Sequence, residues 1–303
     1  MGAKPRPELI APVLAHVHGT LQDAVRMGFL HSSRARGRLP QGVRAAADVR
    51  YIGHAAANED ATLLRFEVPT FGEAAADYFA QAQLWDDGPR PDETAFELFA
   101  AAIDDVRARS ADSNRYDLGM LRSIRRYRAL FRKDALTRIA LPDVARRTPA
   151  QLDSNVLAIA QELVAVTPEP RRVRVAGRLD LMGASQGVLK LHVEAGAVIT
   201  ALWQGEEPIE ELAAQFFNRD VLCEGMGVFR PSGSLLRVDA DAIRAANGQA
   251  DAFRHVPSAV PKSDFARAVR LRQGEPSPYA SFLGSVPAEE SDEEFARAIE
   301  AMN

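Results

Sequence analysis

The chain has 303 residues, of which 37 are basic and 41 acidic, for a formal charge of −4. That balance excludes a uniformly basic nucleic-acid coat, and with 47% hydrophobic residues a core of ordinary size can be buried. The lone cysteine, Cys223, excludes an intramolecular disulfide and any zinc site built on several thiolates, and the absence of an apolar run of ~18 residues excludes a membrane-spanning helix.

The opening residues, Met1 to Pro7, carry no apolar stretch of the secretory kind, so a cytoplasmic location is the expectation. Lysine stands only at Lys4, Lys133, Lys190 and Lys262, and no G-K-[ST] occurs, so no P-loop is supported. Residues 1–168 read as a mixed α/β domain. Leu9, Ile10, Val13, Leu14, Val17, Leu21 and Val25 recur near helical spacing, predicting a helix over Glu8 to Leu30, a pattern that Pro12 and Gly19 blur. Val43 to Ile52 and Ala61 to Val68 read as strands joined by a polar loop. Further helices are predicted over Phe71 to Trp85, capped by Thr70 with Glu73, and over Asp92 to Arg107, Leu118 to Phe131 and Leu152 to Val166.

Thr167-Pro168-Glu169-Pro170 ends the helical part. Over residues 170–246 the periodicity changes to two. Val173, Val175, Gly177, Leu179 and Leu181 alternate with Arg172, Arg174, Ala176, Arg178 and Asp180, as in a strand with one wet face. Val188 to Val193 and Val198 to Trp203 continue the pattern. A helix follows over Ile209 to Phe217, then strands over Asp220 to Phe229 and Leu235 to Ala240, joined by the turn Arg230-Pro231-Ser232-Gly233-Ser234. Residues 247–280 read as a linker and 281–303 as an acidic amphipathic tail.

Three strands, a helix and two strands resemble an OB-fold barrel. The resemblance rests on Arg174-Val175-Ala176-Gly177-Arg178-Leu179, on Arg219 to Gly225 and on Gly233 to Ala240. Together with the N-terminal and tail readings it gives an α+β chain: a mixed helical N-terminal domain with a small sheet, a five-stranded OB-like barrel and an acidic helical tail. It also implies binding through the outer face of the second and third strands and through the loops at residues 182–187 and 229–234. Single-stranded nucleic acid needs cations and aromatic platforms. The barrel offers Arg174, Arg178, Lys190 and Arg230, with Arg172 and Arg237 also outward by alternation. Trp203 and Phe229 are its candidate platforms. Between residues 171 and 246, however, nine basic residues face ten acidic ones.

Charge concentrates elsewhere. Residues 115–133 hold seven basic side chains against Asp117 alone. On a helix, Arg122, Arg125, Arg126, Arg132 and Lys133 share roughly one side, suited to phosphates or to an acidic protein surface. The tail has the opposite sign, with six acids against Arg297 between residues 286 and 303. Its apolar residues Phe282, Leu283, Phe295 and Ile299 are candidate partner-binding positions. Phe282 to Glu294 resembles a tail of some bacterial antitoxins and neighbours of PIN-domain ribonuclease toxins, with Val286 and Ala288 where that tail carries tryptophan and glycine. The resemblance implies a protein partner encoded by a neighbouring gene.

Catalytic signals are sparse. Gly183-Ala184-Ser185-Gln186-Gly187 matches G-x-S-x-G, but a strand follows it where a nucleophile elbow needs a helix. His16 and His18 are two apart on a predicted helix and diverge. His54 with Glu59 and Asp60 sits in a polar loop. The sequence therefore predicts a non-enzymatic bacterial binding or adaptor protein, antitoxin-like or regulatory, without cofactor or metal. One alternative is a single-stranded nucleic-acid-binding protein using the arginine-rich helix and the barrel face. Another is a hydrolase with its site near His54, Glu59 and Asp60, or at His16 and His18.

Overall fold

A computed structural model describes residues 7–34, 39–57, 61–82, 88–131, 136–141, 149–183, 187–248 and 250–262. The acidic tail, Arg132, Lys133, Glu59, Asp60 and the 184–186 loop lie outside the described residues.

The chain is mixed α+β, and residues up to Lys262 form one compact unit. Helix α1 spans Pro7–Leu30 and buries Val17, Leu21, Ala24 and Val25, the stripe its spacing predicts. Gly28 lets it approach the next long helix, because a Cβ there would fall 2.7 Å from a Leu98 methyl. The predicted strand at Val43 is instead part of helix α2 (Gln41–Ala46), with Val43 and Ala46 buried three residues apart; β1 starts only at Arg50. Alternation is not strict across 43–49, and tertiary packing selects the helical period there. Strands β1 (Arg50–Ala56) and β2 (Thr62–Glu67) form an antiparallel hairpin.

The helix predicted from Phe71 is broken at Ala75 into α3 (Phe71–Ala74) and α4 (Ala76–Ala82). Its start follows the sequence signal, since the Thr70 amide donates to Glu73 at 3.0 Å and the Glu73 amide donates to the Thr70 hydroxyl at 3.4 Å. Helices α5 (Ala95–Arg107), α6 (Leu118–Arg126) and α7 (Arg128–Phe131) follow. A short sheet, β3 (Arg138–Leu141) with β4 (Ala150–Asp153), has no counterpart in the sequence reading. Asp153 ends β4 and caps α8 (Ser154–Val166) by accepting the Val156 amide at 3.0 Å. One hydrophobic core joins α1, α2, α3, α5, α6 and α8 around Phe29, Phe71, Phe99 and Ile103.

Strands β5 (Arg171–Gly183), β6 (Val188–His192), β7 (Val198–Trp203), β8 (Asp220–Phe229) and β9 (Leu235–Ala245) close into a barrel in the order β5-β6-β7-β9-β8. β8 returns to pair with β5. Helix α9 (Ile209–Phe216) joins β7 to β8, and the β7–β9 pair is parallel while the other pairs are antiparallel. The expected closed five-stranded barrel is present, with connectivity consistent with an OB-like barrel. Its core is separate from the helical one and holds Val175, Leu179, Leu189, Leu191, Val221, Cys223 and Val238, with Leu212 and Phe216 of α9 packed against them. Gly177 lets β5 lie close against β6, since a Cβ would fall 2.7 Å from the His192 carbonyl oxygen.

Beyond the barrel, residues 250–262 turn back over it. Ser258 bridges to Ser234, the Ala259 amide donates to the Gly233 carbonyl at 2.8 Å, and Lys262 pairs with Glu169 at 2.5 Å. Among the described residues no helix is long and apolar enough to cross a membrane.

Candidate functional site: the polar seam between helices and barrel

The register of the barrel aligns one row of outward residues across four strands. Lys190 of β6 pairs with Thr200 of β7. Ala201 pairs with Val238, so Thr200 stands beside Arg237 of β9, which in turn pairs with Val228 of β8. Alternation sends these side chains out because Leu189, Leu191, Ile199, Ala201 and Val238 point in. Yet Thr200, Val228 and Arg237 are buried and Lys190 half-buried. The chain's own helical part meets this face.

Asp117 is the centre of the contact. It caps α6 by accepting the Met120 amide at 2.9 Å. It also accepts the Ser33 hydroxyl at 2.5 Å and the Ser33 amide at 3.1 Å. Its remaining capacity takes Arg237 Nη1 at 3.3 Å. The same Nη1 donates to the His31 carbonyl at 2.9 Å, and Nε to Asp239 at 2.8 Å. The Arg237 and Asp117 side chains are only 7% and 5% exposed, so this pair is sheltered from solvent screening. Behind it, Ser123 donates to Asp23 at 2.5 Å, tying α6 to α1. Burial raises the Asp23 pKa, against the lowering effect of that hydrogen bond and of Arg34 and Arg26.

His31 follows the end of α1 in a left-handed conformation, φ 51°. Burial, and then the charges of Lys190, Arg237 and Arg230, push its pKa down to about 4, so the ring is neutral near pH 7. A second contact is made by the β8–β9 turn. Asp112 accepts the Ser232 hydroxyl at 2.5 Å and the Ser234 hydroxyl at 2.6 Å, and these bonds lower its pKa. The Ser232 amide donates to the Ala111 carbonyl at 3.3 Å, and Arg230 donates to Asn114 and to the Leu235 carbonyl. Beside this polar set, Met27 of α1 packs with Val228 and Leu236 of the barrel in a small buried apolar cluster among the described residues.

The residues singled out in the sequence fall into different environments. Arg122 and Arg126 are exposed on α6, as is Arg128 on α7, while Arg125 donates to Gln161 of α8 at 2.9 Å. Arg174 is exposed, 3.5 Å from Glu224, and lies over the Phe253 ring. Arg178 is exposed, opposite His192 and Asp220. Lys190 donates to Thr200 at 3.0 Å. Trp203 is half-buried and donates to the Glu207 carbonyl at 2.8 Å. Phe229 is 1% exposed inside the barrel, with the Arg171 guanidinium 5.2 Å from its ring centre, so it presents no face to a base. Arg230 is spent on the seam. Phe282, Leu283, Phe295 and Ile299 lie outside the described residues, like Arg132 and Lys133.

Among the described residues, the histidine candidates keep to local partners. His16 Nδ1 is 2.8 Å from the Pro12 carbonyl and His18 Nε2 is 2.9 Å from Gln22, each one turn away along α1. His54 meets the Tyr51 hydroxyl at 2.6 Å on the exposed hairpin. Cys223 sits inside the barrel, its thiol pushed up to about 12 by burial. Among the described residues, no group of three His, Cys, Asp or Glu could hold a metal ion.

Sequence reasoning missed Asp23, Ser33, Asp112 and Asp117. Only Asp117 carried a local signal, as the residue before the helical run Leu118 to Arg126. The fold defines a mixed α+β protein in which a closed barrel is joined to a helical part by a buried ionic seam. Comparison with known proteins adds no relative: the chain matches no family model, and neither curated proteins nor solved structures give a match.

Proposed function

We propose that this chain is a binding or adaptor protein whose barrel serves as a scaffold, with residues 281–303 engaging a protein partner. The observation that supports the reading is the use of the barrel's outer face. The row through Thr200 and Arg237 and the β8–β9 turn, where OB-like barrels customarily take ligands, is committed to the helical part through Asp117, Asp112 and Asn114. A partner then meets other surfaces, and the acidic tail with Phe282, Leu283, Phe295 and Ile299 has the pattern of a groove-docking segment. Affinity capture from cells of the source organism tests this. A partner recovered with the full chain should be lost when residues 281–303 are removed and retained in the Arg174→Ala variant. Equal recovery with and without the tail would refute it.

A second reading, nucleic-acid binding, draws on Arg122, Arg126 and Arg128, exposed on α6 and α7. It expects affinity to fall with salt at a log–log slope of about −0.7 to −0.9 per phosphate contact, and Arg122→Ala with Arg126→Ala to flatten that slope.

A further inference from the structure

The β1–β2 hairpin stands as a two-stranded sheet, with no third strand paired to either edge among the described residues. Two strands alone are marginal in water, and Phe66 ties this pair to Phe96 of α5 at a ring distance of 5.4 Å. Successive residues alternate faces, so Leu63, Arg65 and Glu67 share the face opposite Phe66, and all three are exposed. The two edges differ. β1 is broken by a bulge between Tyr51 and Gly53, and its first residue, Arg50, is held by Asp48 at 2.7 Å. A bulge blunts an edge against pairing. β2 runs from Thr62 to Glu67 in unbroken register, with no proline or glycine. We propose that the β2 edge is a dimerisation surface. Its occupant is the β2 edge of a second copy of this chain, antiparallel about a two-fold axis at Phe66, so that the two hairpins form one four-stranded sheet.

A contact between identical surfaces must be self-complementary, and β2 meets that condition in one register. With the axis at Phe66, Arg65 faces the second copy's Glu67, and Glu67 faces the second copy's Arg65. Within the hairpin Glu67 lies opposite Arg50, while Arg65 has only Gly53 across from it. Pairing therefore extends one row of alternating charge, Asp48, Arg50, Glu67 and then the second copy's Arg65. The same register sets Leu64 opposite the second copy's Val68 and Leu63 opposite its Pro69, apolar against apolar. Phe66 meets its own copy at the axis, which lengthens the Tyr51–Phe66 contact of 5.9 Å into a four-ring row. Moving the axis one residue, to Arg65 or to Glu67, sets like charge against like charge, which cross-strand pairing penalises. The two charges thus select the register as well as the partner. This surface uses none of residues 281–303, Arg122, Arg126 or Arg128, so it stands apart from both readings of function.

The test is the oligomeric state of the full chain, read by sedimentation from about 1 μM to about 0.2 mM, because a contact this short is weak. The parent should pass from monomer to dimer across that range. Arg65→Glu opposes carboxylates at both symmetric pairs, and Glu67→Arg opposes guanidiniums there. Each should weaken dimerisation at least about tenfold. Mixed in equal amounts, the two variants complement each other and should dimerise about as tightly as the parent. The chain carrying both changes, Arg65→Glu with Glu67→Arg, should do the same on its own. Recovery in the mixture shows that each variant is folded, so misfolding cannot mimic the pattern. A parent that stays monomeric at the highest concentration overturns the proposal. So does a dimer that either single variant keeps at full strength, because the contact then lies on another surface. Loss in both variants without recovery on mixing overturns it as well.

Discussion

Two faces of the same barrel use arginine in opposite ways. On the β5 side, Arg172 reaches past β8 to Asp241 of β9 and Arg174 lies against Glu224 of the neighbouring β8, both with arginine side chains more than half exposed. On the β9 side, Arg237 leaves its strand by the same alternation but is buried against Asp117, which lies 120 residues earlier in the chain. The local pairs are screened by water and hold two long side chains in one geometry, so they contribute little. The buried pair is held by geometry on both sides, and removing one member strands the other charge. Burial, more than the count of ion pairs, separates the two faces.

The largest expected effect tests that contrast directly. Arg237→Ala should cost about 3–5 kcal/mol in urea unfolding, since Asp117 is left buried without its cation. A loss no greater than that of Arg172→Ala would remove the distinction between the faces.

The next effect is a pH dependence. The His31 pKa falls from 6.5 to about 4 on folding. Above pH 6.5 the ring is neutral in both states. As pH falls toward 4 the unfolded chain takes the proton first, so stability declines across that window and levels off below it. The decline is at most about 3 kcal/mol. Asparagine tolerates the left-handed backbone of position 31, so His31→Asn should flatten this stretch of the stability curve without local strain. Asp23 acts in the opposite sense, because its raised pKa makes the folded state take up a proton first; Asp23→Asn isolates its share.

A smaller effect is expected at the turn. Asp112→Ala should cost about 1–2 kcal/mol, because two serine hydroxyls lose their charged acceptor. With its pKa lowered, Asp112 contributes stability that is lost as pH falls below the usual aspartate range, so the variant and the parent should converge in strong acid. The smallest effects belong to the exposed face. Arg172→Ala and Arg174→Ala should each stay within about 1 kcal/mol, and salt should shrink even that.

Local chemistry made much of this molecule legible. The period-two alternation of Arg172 to Leu181 and of Leu189 to Val193 defined strands and their inward faces, because a strand's side-chain period depends on nothing beyond the backbone. Thr70 with Glu73 marked a helix start for the same reason: a cap is satisfied within four residues. What failed was context. Val43 became helical because packing against the core outweighed a weak local preference, and β3 with β4 was too short to announce itself.

The sequence by itself determined the barrel strands, their order along the chain and most of the side chains that leave them, because those follow from local alternation and turns; Phe229, next to a register shift between β8 and β9, points inward instead. Tertiary structure alone decided which outward side chains meet water. Arg174 and Arg237 occupy like positions in the pattern, and only the docking of residues 31–33 and 111–117 on one face makes the second a buried charge. Charge burial is set by whatever comes to lie against a residue, and nothing within a few positions of Arg237 encodes Asp117.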